Sequence, residues 1–264
     1  MSLQPRRIFG LLGAGAIAAG LAACSEQTTT AVAPQPNPAP LVMTVQVTNL
    51  QPADGLTLTP VFLTPQNGVY DMFETGEAAS ENVERLVEDG TTDARIAAAI
   101  ASGGVSDEAT ATDGGPIAPG ETRTVQFDVV SDNDLTQFLS YMSMVIPSND
   151  AFIGNDDPQE IDLFDGNGDP IVREGANAVV VTGDDVLDAG TEVNDELEES
   201  TAALGQTDPD TGTDENGTIA QHPGLLGSVR EGSANPGRVL TDRPGGDFTA
   251  DNAADIMSIE ITFN

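Results

Sequence analysis

The sequence contains no lysine and no tryptophan, a single cysteine (Cys24) and a single histidine (His222). Each absence closes a class of chemistry. Without lysine there is no Schiff-base amine and no P-loop amine. One cysteine cannot build a disulfide framework, and one histidine leaves no His-rich zinc site. Cations are scarce altogether: 9 arginines stand against 43 acids in 264 residues, a formal charge of −34. With no basic face to displace counterions, nucleic acid is excluded as a partner. What remains is enough apolar material, 39% of the residues, for one sizeable core, so the chain is not a disordered acidic tail.

The N-terminus reads as an address. Arg6 and Arg7 precede sixteen apolar or small residues, Ile8 to Ala23. That run falls short of the roughly 20 residues that cross a bilayer, and it has the layout of an export signal. Its ending, Leu21-Ala22-Ala23-Cys24, resembles the lipobox of prokaryotic lipoproteins. The resemblance implies that residues 1–23 are a signal peptide and that the Cys24 thiol is alkylated with diacylglycerol. The mature chain is then exported and held by its lipid at the cell envelope, facing outside the cytoplasm. Each buried CH₂ of such an anchor contributes about 0.8 kcal/mol. Arg6-Arg7-Ile8-Phe9 also resembles a twin-arginine signal, with Pro5 where that pattern prefers Ser or Thr. Residues 24–40 form a linker whose Pro34, Pro36, Pro38 and Pro40 favour an extended polyproline spacer.

Removing the signal leaves 7 arginines against 43 acids, a charge of −36. Self-repulsion of that size opposes folding in dilute buffer, whereas at 1 M salt the Debye length falls to about 3 Å and the repulsion is screened. Abundant Asp without Lys is the composition of proteins adapted to high salt, so a halophilic or marine source is expected. Most of the acids are read as a solvated surface.

Residues 41–264 are read as one folded domain. Met43–Thr48 alternates apolar and polar residues, as a half-buried strand does. Leu56–Leu63 is a second strand, with Pro60 marking an edge or a bulge. Ser80–Glu88 and Thr92–Ser102 change to helical period, with Val83, Leu86 and Val87 on one face of the first and Ile96 and Ile100 on one side of the second. Strand signals return at Thr122–Val130, at Phe138–Ile146 (a nearly continuous apolar run suited to a central strand), at Glu160–Phe164, Ile171–Val172, Ala178–Thr182 and Asp255–Phe263. Between the last two, Asp195 to Asp247 is a long acidic excursion with little to bury. Short strands separated by turn chemistry predict an all-β antiparallel sandwich with one or two short edge helices.

Three strings carry a resemblance when taken in order: Phe73-x-x-Gly76-x-x-Ala79-Ser80 with Leu86-x-Glu88-x-Gly90; Ser143-Met144-Val145-Ile146-Pro147-Ser148-Asn149-Asp150-Ala151-Phe152-Ile153-Gly154; and Asp188-Ala189-Gly190-Thr191-Glu192-x-Asn194. Together they resemble the spondin N-terminal domain shared by F-spondin and mindin, over roughly residues 41–264. The resemblance implies a C2-like β-sandwich, a calcium ion in the loops at one end, and adhesion or recognition rather than catalysis. The animal members' paired cysteines, tryptophan and thrombospondin repeats are missing here.

Asp150, Asp188 and Glu192 match the family's calcium-ligand positions, with Glu192 where the animal proteins have Asp. Calcium takes 6–8 hard oxygens at about 2.3–2.6 Å. Asp188 and Glu192 would lie roughly 13 Å apart in an extended strand, but Gly190 between them permits a positive φ that curls the loop. The competing reading is a plain acidic turn. Asp128 and Asn194 are possible further contributors.

Other candidates are weaker. Asp165-Gly166-Asn167-Gly168-Asp169 looks like the start of an EF-hand loop, yet Ala176 stands at its twelfth position, and a tight hairpin turn explains the string better. His222 sits in Gln221-His222-Pro223-Gly224 with no Gly-x-Ser-x-Gly elbow, so a catalytic triad is not expected and the histidine is read as packing in a loop. Asn216-Gly217-Thr218 is a chance sequon in a prokaryotic setting.

The sequence therefore describes a lipid-anchored, calcium-binding, non-enzymatic surface module whose partners are the membrane, through its anchor, and a surface glycan, glycolipid or protein. The alternatives are a structural envelope protein whose metal only stabilises the fold, and a hydrolase on the same sandwich. The charge balance makes one test immediate: the thermal midpoint should rise between low and molar salt, and an unchanged midpoint would contradict the high-salt reading.

Overall fold

A computed structural model of the chain describes residues 38–209, 211–225, 246 and 254–264. Residues 1–23, expected to be a signal peptide, Cys24, nearly all of the expected linker and much of the second half of the acidic excursion lie outside the described residues.

Eleven strands and two helices alternate along the described chain: β1 (Leu41–Asn49), β2 (Thr57–Leu58), β3 (Phe62–Gln66), α1 (Glu81–Asp89), α2 (Asp93–Ser102), β4 (Thr110–Ala111), β5 (Thr122–Val129), β6 (Phe138–Ile146), β7 (Ala151–Gly154), β8 (Val179–Thr182), β9 (Leu187–Asp188), β10 (Ala220–Gln221) and β11 (Asp255–Phe263). They form two antiparallel sheets. One has the order β5-β1-β11-β8; the other runs β10-β9-β7-β6-β3-β4, with β2 also paired to β6. The all-β sandwich expected from the alternation is the observed fold.

The inner core lies between the sheets. Met43, Val45 and Val47 of β1 point inward, as the period-two pattern requires, and meet Phe127 and Val129 of β5 and Met257, Ile259 and Ile261 of β11. The register of β11 on β8 slips between Asp255 and Met257. This bulge turns Ile256 inward beside Met257, so both consecutive residues are buried. The predicted strand Leu56–Leu63 is cut in two around Pro60, which lacks the N–H a continuous ladder needs.

Strand β6 is the spine of the larger sheet, and it is buried on both faces. Leu139, Tyr141 and Val145 enter the inner core, while Met142 faces a second cluster with Val83, Leu86 and Val87 of α1. The helices therefore cover the outer face of the larger sheet instead of flanking an edge. The reason is β6 itself: an apolar strand with no polar face demands a cover on each side. Helix α1 ends at Gly90, whose φ of 65° closes the last turn.

Helix α2 is rotated from the predicted orientation. Ile100 remains 40% exposed, and the buried face is Arg95 and Ala99, with Ile96 packed at its margin. Arg95 holds that rotation. Its guanidinium lies 5.2 Å from the ring centre of Tyr70 and 5.9 Å from that of Phe62, and it donates to the Met72 carbonyl and to Asn82 Oδ1. Burial pulls its pKa down to about 10.

The predicted strand Glu160–Phe164 is reduced to isolated bridges, Asp162 with Phe138 and Phe164 with Pro170. The predicted strand Ile171–Val172 does not form, being only flanked by bridges at Pro170 and at Arg173, which pairs with Ile261. Pro170 has no N–H to extend the ladder. The turn between Asp165 and Asp169 is closed on itself: Asp165 Oδ1 accepts from the N–H groups of Asn167 and Asp169 at 2.8 and 3.0 Å, which holds the Asp165 carboxyl below its ordinary range. Strand β7, absent from the periodicity reading, pairs with β6 and carries Phe152 against Phe73 at 5.1 Å, edge to face.

Leu86→Ala tests the placement of α1. A helix sealing a sheet face should lose about 2–5 kcal/mol of unfolding free energy, and denaturant melts showing a loss near zero would mean the helix is peripheral.

Candidate metal centre

The β6–β7 connection builds one wall of the site. It opens at a cis Ile146–Pro147 peptide, and every residue from Pro147 to Asp150 is buried. Ser148 Oγ donates to the Val145 carbonyl at 2.6 Å and accepts from the Ala151 N–H at 3.1 Å, so the turn is cross-braced by its own hydroxyl. Asn149 reaches away from the sheet: its Nδ2 donates to the Ser200 carbonyl and its Oδ1 accepts from the Glu196 N–H, at 3.2 and 3.3 Å. The acidic excursion, predicted to bury little, folds down over this turn. Glu196, Ser200, Thr201 and His222 are all buried, and the Ala202 N–H donates to the Ser148 carbonyl at 3.2 Å. Backbone donors and acceptors of the turn required partners once β6 and β7 were sealed, and the polar residues of the excursion supply them.

The other wall is β9 and the loop after it. Asp188 pairs in register with Ala151, which places its backbone next to Asp150. Gly190 then adopts a φ of 66°, and a Cβ there would stand 2.7 Å from the Thr218 nitrogen. The curl that Gly190 was predicted to permit is present, and it presents consecutive N–H groups to Asp150. Oδ2 of Asp150 accepts from Thr191 N at 2.8 Å, Thr191 Oγ1 at 3.1 Å and Glu192 N at 3.1 Å. Oδ1 of Asp150, in a residue with 0% exposure, has no hydrogen-bond partner.

Burial is the largest influence on this carboxyl and the Asp188 carboxylate adds to it; the three donors oppose both. The result is a pKa pushed up to about 7. Asp188 is itself held in place, with Oδ1 accepting from the Gly190 N–H at 2.8 Å and Oδ2 from Asn194 Nδ2. Behind Asn194 stands His222. The Gly224 N–H donates to its Nδ1 at 3.0 Å, so Nε2 carries the ring proton and donates to Asn194 Oδ1 at 3.2 Å. This chain fixes the direction of the Asn194 amide and, through it, the Asp188 carboxylate.

Glu192 is placed differently from the other two. Its N–H caps Asp150, but its side chain, 2% exposed, turns to Gly212 and accepts from the Gly212 N–H at 2.8 Å. A Cβ on Gly212 would collide with that carboxylate. On this side Glu192 faces Glu88, a buried residue whose carboxyl is raised to about 7 by burial, with Glu192 and Glu84 adding to the rise and Thr191 and Arg85 opposing it. Asp188 thus lies beside Asp150, while the Glu192 carboxylate is directed toward a neighbouring acidic pocket. Among the described residues no three His, Cys, Asp or Glu side chains converge as ligands of one ion. Asp128 is exposed on β5 of the other sheet, opposite Val42, outside this cluster.

Thr191 and Glu88 were not singled out as site residues from the sequence, though both fall inside the strings that carried the family resemblance. The His222 support was invisible there, because it depends on a contact across 28 positions.

The buried charge gives a pH test. A carboxyl whose folded pKa lies near 7 rather than near 4 takes up a proton on folding between those values, so stability without divalent ions falls as pH rises from about 4 to about 7. Asp150→Asn keeps the shape and removes the charge. In chelator, its thermal midpoint should decline less than the wild-type midpoint between pH 5 and pH 7.5; parallel declines would mean that Asp150 carries no such strain.

Residues 52–164 match the family model described as Spondin_N. The matched stretch runs from the residues before β2 through Phe164 and includes Glu88, β6 and Asp150; it ends before Asp188. No curated protein matches the chain. Over residues 52–164 the family match agrees with the first two quoted strings and with the two antiparallel sheets, and that stretch is similar to the spondin N-terminal family.

Proposed function

We propose that this chain is an exported, lipid-anchored calcium-binding module of the cell surface, acting in adhesion or recognition and not in catalysis. The observation that carries the reading is Asp150 Oδ1: a carboxylate oxygen with no protein partner, in a fully buried residue beside a second carboxylate. A fully buried carboxylate oxygen left unpaired beside a second carboxylate favours a divalent ion, because burying such charge without compensation costs several kcal/mol. Asp150 and Asp188 would hold the ion. Glu192 would join them only by turning its carboxylate from the direction in which Oε1 accepts from the Gly212 N–H.

Bound calcium would supply positive charge to the pair. The chain's own residues do the positioning: Thr191 and Glu192 clamp Asp150 Oδ2 from the loop side, and Asn194, backed by His222, holds Asp188. Charge neutralisation would then order the loop at this end of the sandwich, where a glycan, glycolipid or protein ligand would dock. Against catalysis stands the commitment of His222, which is buried and bonded through both ring nitrogens. The anchor rests on Leu21-Ala22-Ala23-Cys24, and no helix among the described residues is long and apolar enough to cross a membrane.

One observation favours the structural alternative. The Pro147–Asp150 turn is roofed by residues 195–202, so an ion there would tie the excursion to the sheet and stabilise the fold without touching a ligand.

Calorimetric titration with calcium should give one saturable site that Asp188→Ala abolishes and Glu192→Gln weakens only if Glu192 swings in. No heat from the wild type, or unchanged binding in Asp188→Ala, would remove the proposal. Calcium-dependent capture on a glycan array separates recognition from the purely structural role.

A further inference from the structure

A second acidic cavity lies on the sandwich between β8 of the smaller sheet and β6, β7 and β9 of the larger one. Its volume is about 420 Å³. Five carboxylates line it: Asp156, Asp157, Glu160, Asp184 and Asp185. No arginine lines it among the described residues. Carboxylates alone mean little in a chain with 43 acids. The informative residue is Tyr141.

Tyr141 starts in the inner core on β6 and is only 3% exposed, yet it lines this cavity. Its hydroxyl makes no hydrogen bond among the described residues, and the charges it feels are those of Glu160 and Asp185, which with burial hold the phenol above its ordinary range. The ring is held in the core while the side chain lines the cavity, so the fold leaves its hydroxyl to be paired from the cavity side. Asp185 is fixed in advance, since its Oδ2 accepts from Thr182 N and Oγ1 at 2.7 and 3.0 Å in a tight turn. Glu160 is raised by burial and by Asp185, Asp157 and Asp156, so the wall repels itself.

The arrangement selects among cations. Among the described residues no three of these acids converge as ligands of a single metal ion, so the negative charge is spread along the cavity. One side is apolar, formed by Val179, Val180 and Val181 of β8 together with Leu187. Spread charge, an apolar wall and a hydroxyl acceptor on a side chain fixed in the core match a hydrocarbon stem that ends in ammonium. The Tyr141 oxygen would accept from the ammonium at the floor while the carboxylates neutralise it from the rim.

We propose that this cavity binds an alkylammonium group, either of a free polyamine or of a lysine side chain on another protein. The proposal is independent of calcium at Asp150 and Asp188, and its test is run with calcium present and in about 0.15 M salt, where weak counterion attraction is screened.

The full-length protein is titrated with spermidine and, separately, with Nα-acetyl-lysine-N-methylamide. Tyr70 and Tyr141 are the two tyrosines and there is no tryptophan, so tyrosine emission and calorimetry both report on the site. One saturable site is expected for at least one of the two probes. Tyr141→Phe should weaken it about tenfold or more, and Glu160→Gln should weaken it as well. Asp132→Asn, outside the cavity, should leave it unchanged. Tighter binding of spermidine assigns a free polyamine; equal or tighter binding of the lysine analogue assigns a protein lysine. Tyr141→Phe should keep the wild-type melting midpoint without ligand, because its hydroxyl holds nothing in the fold. Absence of saturable binding by both probes, or binding that Tyr141→Phe and Glu160→Gln leave within twofold, overturns the proposal.

Discussion

The end of this sandwich that bears the candidate site depends on how Asp150 is held. Its carboxylate sits where the central sheet turns from β6 into β7, and Thr191 and Glu192 close on one of its oxygens with three donors. Those contacts join two stretches that are 41 and 42 residues apart in sequence. They also leave a problem, because a fully buried carboxylate next to Asp188 has one oxygen satisfied and one not. Protonation near neutral pH is one solution and a divalent ion is the other. Every neighbouring feature bears on that choice: the Gly190 curl that aims the donors, the Asn194–His222 chain that holds Asp188, and the polar excursion that seals the turn.

Much of the architecture was legible in the sequence because it rests on strict period-two alternation. Met43, Val45 and Val47 could face only one way, and Asp255–Phe263 could pair with them only as a sandwich strand. Phe138–Ile146 announced itself as central by having no polar face. The same run also demanded a cover on its outer side, which is where α1 packs. What escaped the pattern reading depended on long-range polar contacts. Periodicity counts Arg95 as an exposed residue, yet Tyr70 and Phe62 provide aromatic faces that bury it and turn α2. The excursion after Asp195 is polar enough to pass for solvent-exposed loop, but its backbone and hydroxyls are what a sealed β-turn needs.

The candidate site was half legible. Asp150 and Asp188 come together because β7 and β9 pair in register, a consequence of strand order that no spacing rule states. Glu192 was identified by position within its string, and its backbone serves the site. Its side chain is one methylene longer than aspartate and finds the Gly212 N–H instead. That side-chain placement splits the acids into two neighbouring groups. Glu88 lies in the second group, its charge opposed by both Glu192 and burial. An extreme acidic composition thus does more than coat the surface, since a small fraction of the acids is buried against its electrostatic preference at defined places.

The most direct measurement is diffraction from crystals grown with calcium, with anomalous data to identify the ion. The account predicts a peak about 2.3–2.6 Å from Asp150 Oδ1, shared with Asp188 and enclosed by the 191–202 segment. A well-ordered Asp150 with no ion beside it, its Oδ1 instead bonded to water or bearing a proton shared with Asp188, would contradict it.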